Sequence, residues 1–181
     1  MIKTNFKNLW RADNTFLFFI IALIGIVISI ISKEPISAVL SMSILFTCFD
    51  SFGYWHSFRW AGKQPHLENE RLAAYRNNQL AYQAALGTVL YLIFKSVWIP
   101  LAWTFLHFML FHDMLFYLFT KQWSYFINLK EFKWFHQSIP KLIVKGLFDK
   151  KLSGKFAIWW VITGLLISFS AIYINYYLKL L

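Results

Sequence analysis

Five long apolar segments limit what this chain can fold into. A helix needs about 20 mostly apolar residues to cross a hydrocarbon core of about 30 Å. Of the 181 residues, 59% are hydrophobic and only 14% are charged, which is little charge for the surface of a soluble domain. We therefore expect an all-α, polytopic membrane bundle with five transmembrane helices in a single domain. The predicted spans are residues 15–32, 36–58, 80–99, 101–120 and 156–180.

Basic residues alternate between rich and poor connections along the chain. The connections after the first and third spans hold little beyond Lys33 and Lys95, whereas the other connections and the N-terminal tail are strongly basic. Because lysine and arginine accumulate in cytoplasmic loops, this alternation predicts a cytoplasmic N-terminus and a C-terminus outside. The rich segments hold Lys3, Lys7 and Arg11; Arg59, Lys63, Arg71 and Arg76; and eight lysines from Lys121 to Lys155.

The same loops explain the net charge of +10. A nucleic-acid-binding module gathers its basic residues on one face, so the alternating pattern disfavours that partner. Segment 121–155 mixes its lysines with aromatic residues, which is typical of a stretch lying on the membrane surface against anionic headgroups of the inner leaflet. The positive-inside bias alone would also supply these lysines. Lipids are the expected partners, a protein partner or homo-oligomer stays open, and we expect the inner membrane of a bacterium.

Prolines mark several helix ends. Residues 32–35, which end in Pro35, predict a tight hairpin between the first two spans. Pro100 predicts a separation between the third and fourth helices, because the residue before a proline avoids helical geometry. Pro65 and the acidic residues after it predict that the third helix begins before the membrane, with a cytoplasmic extension of about three turns.

Small residues predict where helices pack closely. Ala22, Gly25, Ser29 and Ser32 share one face of the first helix, and Gly164 and Ser168 are four apart in the last. Such spacing lets helix backbones approach one another. The only cysteine, Cys48, permits no disulfide within the chain and leaves the redox compartment undetermined.

Three ionisable residues lie inside predicted spans, where they are costly and are by default candidates for function. Asp50 stands about eight residues from the inner end of the second helix, on one face with Ser43, Thr47, Tyr54 and Ser57. Asp113 stands about seven residues from the inner end of the fourth helix, beside His112 and on a face with Tyr117 and Thr120. Both helices run inward, so the three residues are expected at one depth, about 10–12 Å from the inner end.

A metal site is the first of three hypotheses. Carboxylates and imidazoles are ligands for zinc, iron or manganese. The chain has no HExxH motif. Adjacent His112 and Asp113 point about 100° apart on a helix, so a shared ion requires favourable rotamers. The candidate ligands are Asp50, His56, His112 and Asp113, with His66 and Glu70 in reserve.

Metal-free proton chemistry is the second hypothesis. Asp50, His112 and Asp113 would be the catalytic groups of an acid–base enzyme acting on a lipid-like substrate at the cytoplasmic leaflet. Arg59 or Lys63 would then hold a phosphate. Alternatively, the same three residues would relay protons in a transporter.

The third hypothesis is structural. Asp50 would pair with His112 or Arg59 only to satisfy a buried charge, and the protein would be a scaffold or accessory subunit of a membrane complex. The sequence leaves open which hypothesis holds, whether the protein is an enzyme, and which substrate or cofactor it uses.

Overall fold

A computed structural model describes residues 14–54, 68–130, 145–146 and 152–178, with the backbone alone for 54 and 68–76. These residues fold into helices and contain no strand, which confirms the all-α prediction for this part of the chain. Helix α7 continues into a π-helical turn over Tyr173–Tyr177. The helices are α1 (Thr15–Ser32), α2 (Pro35–Tyr54), α3 (Glu68–Phe94), α4 (Trp98–Phe108), α5 (Phe111–Phe119), α6 (Trp123–Asn128) and α7 (Gly154–Ile172).

Three helical segments are long and apolar enough to cross a membrane: Thr15–Ser32, Pro35–Gly53 and Gly154–Tyr177. The bent pair of α4 and α5 makes a fourth if it is counted as one span. Helix α1 exposes most of its apolar side chains, with Ile31 77% exposed, as a helix surrounded by lipid would. These features fit a multi-pass membrane protein.

The predicted span 80–99 lies mostly within α3, which is not among the helices that are apolar enough by themselves. Its last 18 residues include the amide side chains of Asn77, Asn78, Gln79 and Gln83, which lower its mean hydropathy. The helix does begin at Glu68, so it extends about three turns ahead of residue 80 as predicted.

Contacts at the two ends of the bundle show how the chain runs through it. At the hairpin end, which holds residues 33–35, the Tyr177 hydroxyl donates to Glu34 Oε2 at 2.6 Å. The Phe94 ring lies 6.0 Å from the Tyr176 ring at the same end. At the opposite end, called the tail end because it holds Asn14, the Asn14 N–H donates to the Phe119 carbonyl oxygen at 2.9 Å. Helices α4 and α5 together therefore traverse the bundle from one end to the other.

The predicted hairpin between α1 and α2 is confirmed. Lys33 adopts the left-handed conformation, with φ 54°, and both Lys33 N–H and Glu34 N–H donate to the Ser29 carbonyl oxygen. This is how a helix satisfies its last carbonyl groups. Pro35 is the first residue of α2, where a proline loses no helical hydrogen bond.

The predicted fourth span, residues 101–120, is not one continuous helix. Helix α3 ends at Phe94 and α4 begins at Trp98, so Pro100 lies in the first turn of α4, where the missing N–H is tolerated. A second break follows at Met109 and Leu110, where the axes of α4 and α5 differ by 64°. Leu110 has a left-handed backbone, with φ 66°, in a stretch that contains neither proline nor glycine.

Close packing of small residues is confirmed on two helices. Ala22 and Ser29 are buried, and a Cβ on Gly25 would collide with Ser41 Oγ of α2. Ser32 is exposed instead, because the helix ends there. On the last helix, the Ser168 hydroxyl donates to the Ala102 carbonyl oxygen of α4 at 3.1 Å.

Gly164 of α7 packs against the break between α4 and α5. A Cβ placed on this glycine would lie 2.5 Å from Met109 Cβ. The last helix therefore covers the bend, and it can do so only because residue 164 has no side chain.

We predict opposite effects for two glycine substitutions. Gly164→Ala should lower the free energy of unfolding by about 1–3 kcal/mol, because its methyl group overpacks the contact with Met109. The matched control is Gly87→Ala, whose Cβ would meet the Trp103 ring at 3.5 Å, an ordinary van der Waals distance. This control should raise the free energy of unfolding by about 0.5–1 kcal/mol, because alanine is the better helix former. Unfolding by denaturing detergent measures the free energy change of each variant. Equal changes in the two variants would contradict the close contact between Gly164 and Met109.

Candidate functional site

Two half-buried carboxyl groups meet near the tail end of the bundle. Asp50 lies in the last turn or so of α2, and Asp113 is the third residue of α5. The two helices pack together, and the carboxyl groups are close enough to interact electrostatically. The break at Leu110 gives Asp113 its place in the first turn of a helix, where free N–H groups and the helix dipole favour a carboxylate.

Helix α3 contributes an amide to this carboxyl pair. Gln79 Nε2 donates a hydrogen bond to Asp50 Oδ1 at 2.5 Å. The bond fixes the position of the Asp50 side chain from a third helix. It also connects α3 to the site, although α3 is the least apolar of the long helices.

Two imidazoles meet across the helix break. His107 is in the last turn of α4, His112 is in the first turn of α5, and their Nδ1 atoms lie 2.9 Å apart. In a continuous helix, residues five apart would point about 140° away from each other and be separated by about 7.5 Å along the axis. The left-handed backbone of Leu110 is therefore what brings the two rings together. At this distance, one Nδ1 carries the hydrogen and the other accepts it.

Aromatic side chains enclose the histidine pair. The Phe46 ring lies 5.3 Å from the His107 ring and 4.7 Å from the His112 ring. The Trp103 ring lies 5.9 Å from the His112 ring, and His112 is only 3% exposed. The bond between the imidazoles thus forms in surroundings of low polarity, where hydrogen bonds are strong.

The carboxyl pair and the histidine pair are neighbours. Asp113 follows His112 directly, and Asp50 is one helical turn beyond Phe46 on α2. Asp50 therefore lies about 6 Å nearer the tail end than Phe46, at 1.5 Å per residue. We define the candidate site as Asp50, Gln79, His107, His112 and Asp113.

The structure thus brings Asp50, His112 and Asp113 of the predicted site into one region. His56 and His66 lie outside the described residues, and Glu70 lies where the backbone alone is described. Gln79 and His107 are site residues that the sequence did not predict. The pairing of His107 depends on a helix break, and no proline or glycine marks that break in the sequence.

The predicted polar stripe on the second helix has a different role. The Ser43 and Thr47 hydroxyls donate to the carbonyl oxygens one turn back in α2, of Val39 and Ser43, each at 2.8 Å. Serine and threonine commonly satisfy themselves this way in apolar surroundings. Asp50 is therefore the one member of that stripe with a described contact to another polar side chain of the site.

The metal hypothesis gains no support from the geometry. Among residues 14–53, 77–130 and 152–178, no group of three or more histidine, cysteine or acidic side chains is arranged to hold an ion. Two of the proposed ligands, His56 and His66, are not in those ranges.

No protein-family profile, curated protein or solved structure matches the chain. The assignment of a function therefore depends on the chemistry of the site itself.

We predict that the two histidines are energetically coupled. His107→Phe or His112→Phe alone should lower the free energy of unfolding by about 1–3 kcal/mol, because each leaves the other Nδ1 buried without a partner. The double variant should cost clearly less than the sum of the two, since it removes both polar groups. A double-mutant cycle in detergent measures the coupling. Additive losses would show that the imidazoles do not depend on each other.

Proposed function

We propose that this protein is a multi-pass membrane protein that relays protons in a transport process through Asp50, Asp113 and the two histidines. The observation that carries the proposal is the 2.9 Å contact between two imidazoles beside two carboxyl groups on packed helices, in a bundle that contains three helices long and apolar enough to cross a membrane. Chains of Asp, Glu and His inside membrane proteins commonly serve as proton relays.

The carboxyl pair supplies a site where protons bind and leave. Each carboxyl group takes up or releases one proton, and its charge alters the proton affinity of the other. The Gln79 amide donates to Asp50 Oδ1 and so fixes the position of the Asp50 carboxyl group. The carboxyl pair lies near the tail end of the bundle, which favours exchange of protons with that side of the membrane.

The histidine pair supplies the next step. A neutral imidazole has one nitrogen that donates and one that accepts, so a proton that arrives at one ring can leave from the other nitrogen of its partner. The short distance between the two Nδ1 atoms requires no intervening molecule. Because His112 directly precedes Asp113 in the chain, the carboxyl pair lies beside the histidine pair.

The broken helix favours transport over a purely structural role. Interrupted helices at membrane depth are typical of transporters, whose ion sites lie at the interruption. A non-glycine residue in left-handed geometry costs roughly 1–2 kcal/mol, so the rest of the bundle has to maintain it. An intact helix would have satisfied the backbone without that cost.

We further propose five crossings, with α3 as the third and the α4–α5 pair as the fourth. The basic tail, the basic connection before α3 and segment 121–155 would lie in the cytoplasm of a bacterial cell, the last against anionic headgroups. This orientation puts the tail end of the bundle, and with it the carboxyl pair, near the cytoplasmic leaflet.

We predict that proton flux depends on the carboxyl groups and the histidines. In proteoliposomes with an imposed potential, Asp113→Asn and His112→Phe should each reduce flux by at least about tenfold, which is about 1.4 kcal/mol of barrier. Glu34→Gln is the matched control, since this carboxyl group lies exposed at the hairpin end. Unchanged flux in Asp113→Asn would reject the relay. Absence of flux in the wild type, together with loss of stability in Asp50→Asn, would favour the scaffold.

We predict opposite labelling at the two ends of the bundle. Lys33 and Lys121 are both exposed and left-handed, and each lies within two residues of the end of a helix. In a Cys48→Ala background, Lys33→Cys should react with an impermeant maleimide in right-side-out vesicles, and Leu178→Cys should react with it as well. Lys121→Cys should react only after permeabilisation. The reverse pattern, or labelling of all three from one side, would contradict the proposed topology.

A further inference from the structure

Three buried nitrogens near the site have no hydrogen-bond partner among the described residues. They are Gln83 Nε2, Trp103 Nε1 and His112 Nε2. A buried polar group without a partner costs about 1–3 kcal/mol, and nearly all such groups in proteins are satisfied. Three in one region call for a common explanation.

The three side chains lie on neighbouring helices. The rings of Trp103 and His112 are 5.9 Å apart. Gln83 is one turn before Gly87, whose Cβ would touch the Trp103 ring, and one turn after Gln79, which bonds to Asp50. The face of α3 that carries Gln83 therefore runs from the carboxyl pair to Trp103.

Their chemistry limits what could satisfy them. The Trp103 indole and the Gln83 amide nitrogen are donors only. His112 Nε2 donates if Nδ1 of the same ring accepts from His107, and accepts in the other tautomer. Water provides two acceptor and two donor positions, so in the second tautomer one molecule accepts from Gln83 and Trp103 and donates to His112 Nε2, whereas the first tautomer, with three donors, requires two waters. A lipid tail provides none.

We propose that ordered water binds between Gln83, Trp103 and His112 and continues the proton path from the histidine pair toward the hairpin end. Trp103 lies five residues into α4, between the start of that helix and His107. Water held there would accept a proton from His112 and move it away from the carboxyl pair. The role in transport rests on the proposed function, whereas the water site itself does not.

Two substitutions remove the nitrogens: Gln83→Met keeps nearly the same shape, whereas Trp103→Phe also shortens a fully buried ring. The matched control is Trp160→Phe, because the Trp160 indole nitrogen is also buried without a described partner but belongs to α7. Infrared difference spectra of membranes in H₂O and H₂¹⁸O identify bound water by its O–H stretch. Proton flux and thermal stability are measured on the same samples.

We expect Gln83→Met and Trp103→Phe each to abolish a bound-water band and to slow flux by about tenfold, equivalent to about 1.4 kcal/mol of barrier. Trp160→Phe should leave flux and that band unchanged. If both variants leave the water bands and the flux intact, the nitrogens were simply unsatisfied and the water site is rejected. If the Trp103→Phe variant does not fold, the water band and the flux of Gln83→Met alone test the proposal.

The two proposals fail separately. A wild-type protein without flux, whose water band is lost in both variants, would reject the relay and keep the water site. Flux that depends on Asp113 but not on Gln83 or Trp103 would keep the relay and reject the water path.

Discussion

The left-handed backbone at Leu110 is the constraint on which the other features of the site depend. It turns α5 by 64° from α4 and brings two histidines that are five residues apart within 2.9 Å. It also gives Asp113 a helix N-terminus in the interior of the bundle. Even at the break, the Met109 and Leu110 N–H groups donate to the Phe105 and His107 carbonyl oxygens, which meets the requirement for paired backbone groups in lipid.

The break is maintained from outside its own segment. Gly164 lets α7 approach Met109, and Ser168 bonds to the backbone of α4 one turn away along α7. From the other side, Phe46 of α2 contacts both imidazoles. A strained conformation persists only where its surroundings fix it, and here α7 and α2 do so. The same contacts bury His112, so one set of packing interactions explains both the geometry of the break and the low polarity around that ring.

The sequence predicted the parts of the fold that depend on composition, because apolar length and proline position act locally. The spans over α1, α2 and α7 and the hairpin at Pro35 were of this kind. The positions of Asp50, His112 and Asp113 along their helices predicted that the three residues would lie at one depth. The pairings of His107 and Gln79 could not be predicted, since each depends on where another helix lies. Leu110 gives no local signal, because leucine is a good helix former and its conformation is imposed by tertiary packing.

The bond between Tyr177 and Glu34 bears on the order in which the bundle assembles during synthesis. The two residues are 143 positions apart. At 5–20 residues per second, a ribosome takes roughly 7–29 s to make the chain between them. The α1–α2 hairpin, whose helices are adjacent in the chain, is complete long before then. Helix α7 arrives last of the described helices and both covers the break and closes the hairpin end. Until it inserts, the strained turn at Leu110 lacks the support of Gly164, so the site is completed only after α7 has been made and inserted.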